Sequence, residues 1–184
     1  MGKRNNYILS FILITLFVSS CSLDYSSANL AEDLSEKIPE TIFIDFSQVQ
    51  VRNSKITNKI EASRAESYTK KKEMVLENLR YREFNEDGEL ITEGKADRAV
   101  LNTETDDADM FGNIYFYSYT EKTGIYAETL FWKDKEEKLT SEEDEKVRVK
   151  KDDGSYIEGK GFETDFRIKE IVFNKKVQGS YTDK

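Results

Sequence analysis

The chain has no histidine, one cysteine and one proline among its 184 residues. The absent histidine removes the usual proton carrier near neutral pH, any Ser-His-Asp or Cys-His triad, and the commonest metal ligand. A single cysteine excludes an intrachain disulfide and a thiolate zinc cluster. Positive charge is also short: 28 Lys and Arg stand against 36 Asp and Glu, a formal net charge of −8. That balance argues against a nucleic-acid binder, which needs a basic face to displace counterions. Aromatics, at 12%, are too frequent for a disordered acidic chain. What is left is a folded, acidic, non-enzymatic protein of one domain with appendages.

The N-terminus sets the compartment. Lys3 and Arg4 form a positive region ahead of a 12-residue apolar stretch, Tyr7 to Val18, broken by Ser10 and Thr15. That length suits a signal peptide and falls short of the ~20 apolar residues a membrane-spanning helix needs. Val18-Ser19-Ser20-Cys21 then resembles a bacterial lipobox, an aliphatic and two small residues before a cysteine. The expectation is a signal peptide over 1–20, cleavage, and a lipid on Cys21. Residues 21–40 are polar and hold Pro39, the pattern of a flexible tether. Cleavage leaves 26 basic against 36 acidic residues, a charge of −10. An acidic body on such a tether stands off an anionic surface. A plain secretory signal, or an uncleaved anchor, is the alternative.

Past residue 40 the hydrophobic pattern mostly has period two. Ile42, Ile44 and Phe46 alternate with Phe43 and Asp45, and Ile114 and Phe116 with three tyrosines. Tyr126, Leu130 and Trp132 share a parity, as do Phe162, Phe166 and Ile168. These are strand signals. Asp87-Gly88, Thr123-Gly124 and Asp153-Gly154 suit hairpin turns that need positive φ. Ser63–Glu83 and Lys133–Val147 are rich in Lys and Glu and favour helix on propensity, but they occupy strand positions of a repeat. The repeat opens on Glu61-Ala62, Glu93-Gly94, Glu128-Thr129 and Glu158-Gly159, with spacings of 32, 35 and 30 residues. Stacked units of this kind predict an antiparallel all-β body with open edges.

Three motifs approach chemistry without reaching it. Gly154 to Gly161 nearly spells a phosphate-binding loop, but Gly161 replaces the magnesium-binding hydroxyl and a strand follows where a helix belongs. Asp107 to Gly112 mimics a calcium loop with Phe111 at a ligand position and Ser118 where the bidentate Glu should stand. Four periodic glutamates make one structural role used four times rather than a hydrolytic carboxylate pair. No cofactor is expected. The aromatics say more. Residues 111–119 and 126–132 are aromatic on both faces, which implies two sheets with a filled groove, or an outer surface that meets a partner.

The closing unit quotes a family. Gly159, Gly161 and Phe162, the Thr164-Asp165-Phe166 step, then Ile171, Val177 and Gly179 resemble the LptC family, as do Ala96, Gly112 and the run Ala127 to Trp132. The resemblance covers about 40–181. It implies a boat-like, open-edged antiparallel jelly roll of the OstA/LptA-like kind over 41–181, with a groove that shields the acyl chains of a lipopolysaccharide-type glycolipid. It also implies strand pairing with an inner-membrane ABC transporter at the N-terminal edge and a soluble, LptA-like periplasmic bridge protein at the C-terminal edge. Energy would come from that transporter. Well-known members carry a transmembrane helix where this chain has a lipobox, which leaves the anchoring membrane open.

Strand parity selects most of the expected groove: Ile44, Phe46, Leu79, Tyr81, Leu101, Ile114, Phe116, Leu130, Trp132, Phe162, Phe166, Ile168 and Phe173. The C-terminal edge is expected at Gly159, Gly161, Ile171, Val177 and Gly179. Gly159 and Gly161 either permit a bulge there or relieve crowding at a sheet corner. The rival reading is a surface or periplasmic lipoprotein whose packed β-domain binds a protein. A third is a structural lipoprotein without a ligand.

Overall fold

A computed structural model describes residues 37–167 and 170–182. The expected signal peptide, Cys21, most of the tether and Ile168 lie outside the described residues. Ten strands form one sheet: β1 (Thr41–Arg52), β2 (Lys55–Tyr68), β3 (Glu73–Phe84), β4 (Leu90–Asn102), β5 (Ala108–Ser118), β6 (Thr123–Lys133), β7 (Lys138–Thr140), β8 (Lys146–Lys151), β9 (Tyr156–Asp165) and β10 (Glu170–Ser180). Every pairing is antiparallel and sheet order follows chain order, except that β7 and β8 lie end to end between β6 and β9. Among the described residues β1 bonds only to β2 and β10 only to β9, so the sheet they form has two unpaired edges.

Of the expected turns, Gly88 and Gly154 hold positive φ, at 82° and 91°. Thr123-Gly124 is corrected: both residues belong to β6, and Lys122 takes the left-handed position instead, at φ 49°. The Lys- and Glu-rich segments form no long helix. Ser63–Glu83 is most of the β2–β3 hairpin. Lys133–Val147 becomes a 3-10 turn at Asp134–Glu136, β7 and the loop into β8.

One irregularity organises the sheet. Asp45, Asn78, Asn113 and Lys176 sit inside strands at φ near 50°, joined by Gly112 and Gly161 at 76° and 62°. Pairing aligns them across the sheet, Asp45 with Ser63, Ser63 with Asn78, and Asn78 with Asp97, each read from the pairs on either side. A left-handed residue adds a step to the pleat, so facing changes from i, i+2 to i, i+3. Phe43 and Phe46 therefore point the same way, opposite Ala65 and Ala62. Leu76 and Leu79 repeat the step opposite Ala99 and Ala96. In β6 the pair is Ala127 and Leu130, in β9 Gly159 and Phe162; all four are buried.

Where the ladder breaks, side chains satisfy the freed groups. Asn78 Nδ2 donates to Ser63 Oγ at 2.8 Å and Asn113 Nδ2 to Asp97 Oδ2 at 2.7 Å. The Asn113 amide donates to Glu128 Oε2 at 3.2 Å, and the Glu128 amide to Glu145 Oε1 at 2.8 Å. Asn tolerates left-handed φ because its short amide bonds locally, whereas a β-branched residue does not. Asn78→Val is therefore expected to cost about 1–2 kcal/mol, and Asn78→Gly far less. Thermal unfolding of the two variants checks the difference.

The bend turns the two halves of each strand over a common interior. Small and large residues alternate there from strand to strand: Phe43 and Phe46, Ala65 and Ala62, Leu76 and Leu79, Ala99 and Ala96, Met110 and Ile114. Such alternation lets the facing layers interdigitate. Leu76, Ala65, Ala99, Leu130 and Val147 are completely buried.

Candidate functional site: the apolar inner face

The pairing register places most of the expected groove on this inner face. Leu79, Ile114, Leu130 and Phe162 are buried in it. Phe46, Leu101, Phe116, Trp132 and Phe173 are half-buried against them. Tyr81 lies opposite Gly94 on the same side, and its ring meets that of Phe116 at 6.5 Å. Burial pushes its hydroxyl well above the usual tyrosine range. Phe166 lies past the end of β9 and is half exposed, its ring edge-on to Trp132 at 5.8 Å.

Ile44 is a correction. It pairs with Arg64 on the outer face and is 66% exposed, because the left-handed Asp45 stands between it and Phe46. Constant parity fails at the bend, so Phe43 takes the inward place. The register shift that Gly112 and Asn113 of β5 impose on the β5–β6 ladder likewise separates Tyr126, which is outward beside Arg148, from Leu130, which is inward. Parity also passed over Met74, Leu76, Met110 and the alanines. Their signal was a small residue three before another inward one: Ala62-Ser63-Arg64-Ala65, Ala96-Asp97-Arg98-Ala99, Ala127-Glu128-Thr129-Leu130 and Gly159-Lys160-Gly161-Phe162.

The inner face has two ends. At one, Ile60, Tyr81, Phe116 and Ile125 lie near the hairpin tips that join β1 to β2, β3 to β4 and β5 to β6. At the other, Met74, Leu101 and Trp132 lie near the opposite tips. Close approach is built in at two glycines. A Cβ on Gly94 would fall 2.2 Å from the Phe116 ring, and one on Gly159 would fall 2.8 Å from the Phe173 ring. Gly159 therefore serves contact with an aromatic ring, while Gly161, at positive φ, carries the bend.

The unpaired edges differ. On β10, Ile171 and Val177 are 46% and 53% exposed, and Gly179 lies against the Tyr156 carbonyl, where a Cβ would fall 2.5 Å away. On β1, Ile42, Ile44, Val49 and Val51 form an exposed apolar row on the outer side. No cluster of three metal-ligating side chains occurs among the described residues. No helix among them is long and apolar enough to cross a membrane.

A family model for lipopolysaccharide-assembly, LptC-related proteins matches residues 7–182. The chain belongs to the LptC-related family. Membership places it in lipopolysaccharide assembly. Among solved structures it resembles LptH, the LptA homologous periplasmic component of the lipopolysaccharide transport device from Pseudomonas aeruginosa. The TM-score is 0.52 at 10% identity, over 81% of this chain and 99% of that one. At that identity the likeness concerns the fold: an LptA-like, antiparallel β-architecture. No curated protein matches the sequence.

Electrostatics tie the C-terminal edge of this LptC-related domain to its body. Glu158 on β9 is almost fully buried, covered by Lys146 Nζ at 2.8 Å, Arg148 Nη2 at 2.5 Å and the Gln178 amide from β10. The Lys146, Gln178 and Arg148 hydrogen bonds, in that order, hold its carboxyl down from 4.5 to about 2. A depressed carboxylate pKa gives stability that is present above the ordinary value and lost as pH falls through the folded one. The wild-type melting temperature is expected to fall between pH 4.5 and pH 2 in part through this group, and Glu158→Gln to flatten that slope. Calorimetric melts of both proteins across the interval check it.

Proposed function

We propose that this protein binds a lipopolysaccharide-type glycolipid and hands it across the periplasm without chemistry of its own. The acyl chains lie against the inner face at its half-buried ends. The observation that carries the reading is a continuous apolar inner face running between two unpaired sheet edges in a chain of the LptC-related family. Unpaired backbone donors and acceptors at those edges suit strand addition, which needs no particular side chains. In this reading β1 meets an inner-membrane transporter and β10 a soluble bridge protein. Ile171, Val177 and Gly179 form the second contact. A lipid on Cys21, after removal of residues 1–20, holds the domain of 41–181 to a membrane through the tether of 21–40.

The interior is well packed, with Leu76, Leu130 and Phe162 at or near zero exposure, and that favours the rival reading of a protein-binding β-domain. Site-specific photocrosslinking in the organism's own envelope separates the two. A benzophenone side chain at Phe116, Leu101 or Trp132 is expected to capture glycolipid, and one at Ile44 or Val49 is not. Equal capture from both faces, or none from the inner one, would overturn the transfer reading in favour of the packed module.

A further inference from the structure

The outer face carries a second surface that the inner-face reading leaves unused. Tyr115, Tyr117 and Tyr119 project outward from β5, the side opposite Ile114 and Phe116. Register extends them into two transverse rows. One runs Glu93, Tyr117, Gly124, Lys150, Tyr156, and the other Lys95, Tyr115, Tyr126, Arg148, Glu158. The rings touch: Tyr115 and Tyr126 at 5.1 Å, Tyr117 and Tyr119 at 4.9 Å. Arg148 lies 5.6 Å over the Tyr156 ring. Tyr126 leans across Gly124, where a Cβ would fall 3.1 Å from its ring. A side chain there would lift the ring off the sheet. Tyr126 and Tyr119 are 42% and 44% exposed.

The charges facing this platform are lopsided in a protein of net −8. Asp152 accepts from the Tyr117 hydroxyl at 2.9 Å, Glu93 from Tyr119, and Glu158 is taken by Lys146 and Arg148. Glu121 and Asp153 at the neighbouring tips also have partners. Arg80, Lys95 and Lys150 have no acid at ion-pair distance among the described residues. Burial and neighbouring acidic groups push the Tyr115 hydroxyl up to about 12, so it stays a neutral donor at working pH. Aromatic rings with a polar tip offer a flat amphipathic surface, and guanidinium and ammonium groups pair with phosphate.

We infer that the Tyr115–Tyr117–Tyr126 platform, with Arg80, Lys95 and Lys150, binds an anionic saccharide, sugar rings on the tyrosines and phosphate on the cations. This rests on the glycolipid reading and extends it from acyl chains to headgroup. The surface lies close to the mouth of the interior. Gly124 is two residues from Lys122 at the β5–β6 tip, about 7 Å along an extended strand. A headgroup leaving the interior between the hairpin tips reaches it by rolling over that one rim.

The test uses a glucosamine disaccharide carrying two phosphates and no acyl chains, titrated into full-length protein and followed by calorimetry and tyrosine ring NMR shifts. Saturable binding is expected, with shifts at Tyr115, Tyr117 and Tyr126. Tyr126→Ala and Lys150→Glu should each weaken it roughly tenfold. Lys71→Glu, at the β2–β3 tip on the opposite end of the sheet, should leave it unchanged. Lys150→Glu keeps the test decisive if the tyrosine variant folds poorly. No binding to the wild type, or equal binding by all variants, overturns the proposal. A parallel arm crosslinks glycolipid bearing a photoactive acyl chain. Acyl capture on the inner face without platform-dependent saccharide binding removes only the outer surface. Platform-dependent saccharide binding without acyl capture removes the transfer reading instead.

Discussion

Replacing Phe162 by alanine is expected to remove about 3–5 kcal/mol of folding free energy. Phe162 is 1% exposed, its ring 5.4 Å from that of Phe173, and it stands where β9 crosses from β8 to β7. Two further bonds depend on that crossing: the Phe162 amide donates to Ser141 Oγ at 2.9 Å, and its carbonyl accepts from the Ser141 amide at 2.8 Å. Alanine keeps these backbone bonds and leaves a cavity that the flanking strands can only partly close. Domain stabilities are about 5–15 kcal/mol, so the variant sits near its unfolding threshold. Urea unfolding should show a lower midpoint with an unchanged slope. Ile44→Ala, by contrast, should stay within about 0.5 kcal/mol because its side chain is already in water.

Phe116→Asp carries the second large effect. The ring covers Gly94, faces Ile125 across the β5–β6 ladder and meets Tyr81. An aspartate there loses the aromatic contacts, about 3 kcal/mol or more, and adds a desolvated carboxylate. Burial raises the pKa of such a group, so the loss is expected to be greater at neutral pH than near the unfolded carboxylate value, where the proton is kept. Denaturant curves at both pH values check the sign. Phe116→Leu should recover most of the stability. In the transfer reading, the Asp variant also loses glycolipid capture at Trp132 if the interior acts as one compartment, which crosslinking from that position measures.

The strand content and the open antiparallel plan were legible because alternation, turn glycines and a repeat all pointed one way. The inward set was only partly legible. Parity chose Leu79, Ile114 and Phe116 correctly as inward residues, then failed at Ile44, since a strict period of two assumes an unbroken pleat. The break was written in the sequence as Asp45, Asn78 and Asn113, each just before an apolar residue. These read as ordinary polar alternation until the left-handed φ is known. Gly124 misled for the opposite reason. It looked like a turn and proved to be a strand glycine that makes room for Tyr115 and Tyr126. The four repeated glutamates share an outward face, yet their partners differ: Glu61 is held by Lys59 and Arg82, while Glu128 caps the bend. The deeper repeat is the small residue beside them.

Because neighbouring strands from β1 to β6 are also neighbours in sequence, the sheet is assembled from interchangeable hairpins. Excising residues 73–102 would bring β2 beside β5, both running in the directions they already have. The small side chains of Ala62 and Ala65 would then meet Ile114 and Met110, as they now meet Leu79 and Leu76. Large would still alternate with small, and neither outer strand would change. Each such hairpin is worth about 10 Å of breadth, two strand spacings. The span between the two ends of this protein is therefore a modular quantity, set by how many hairpins the gene encodes.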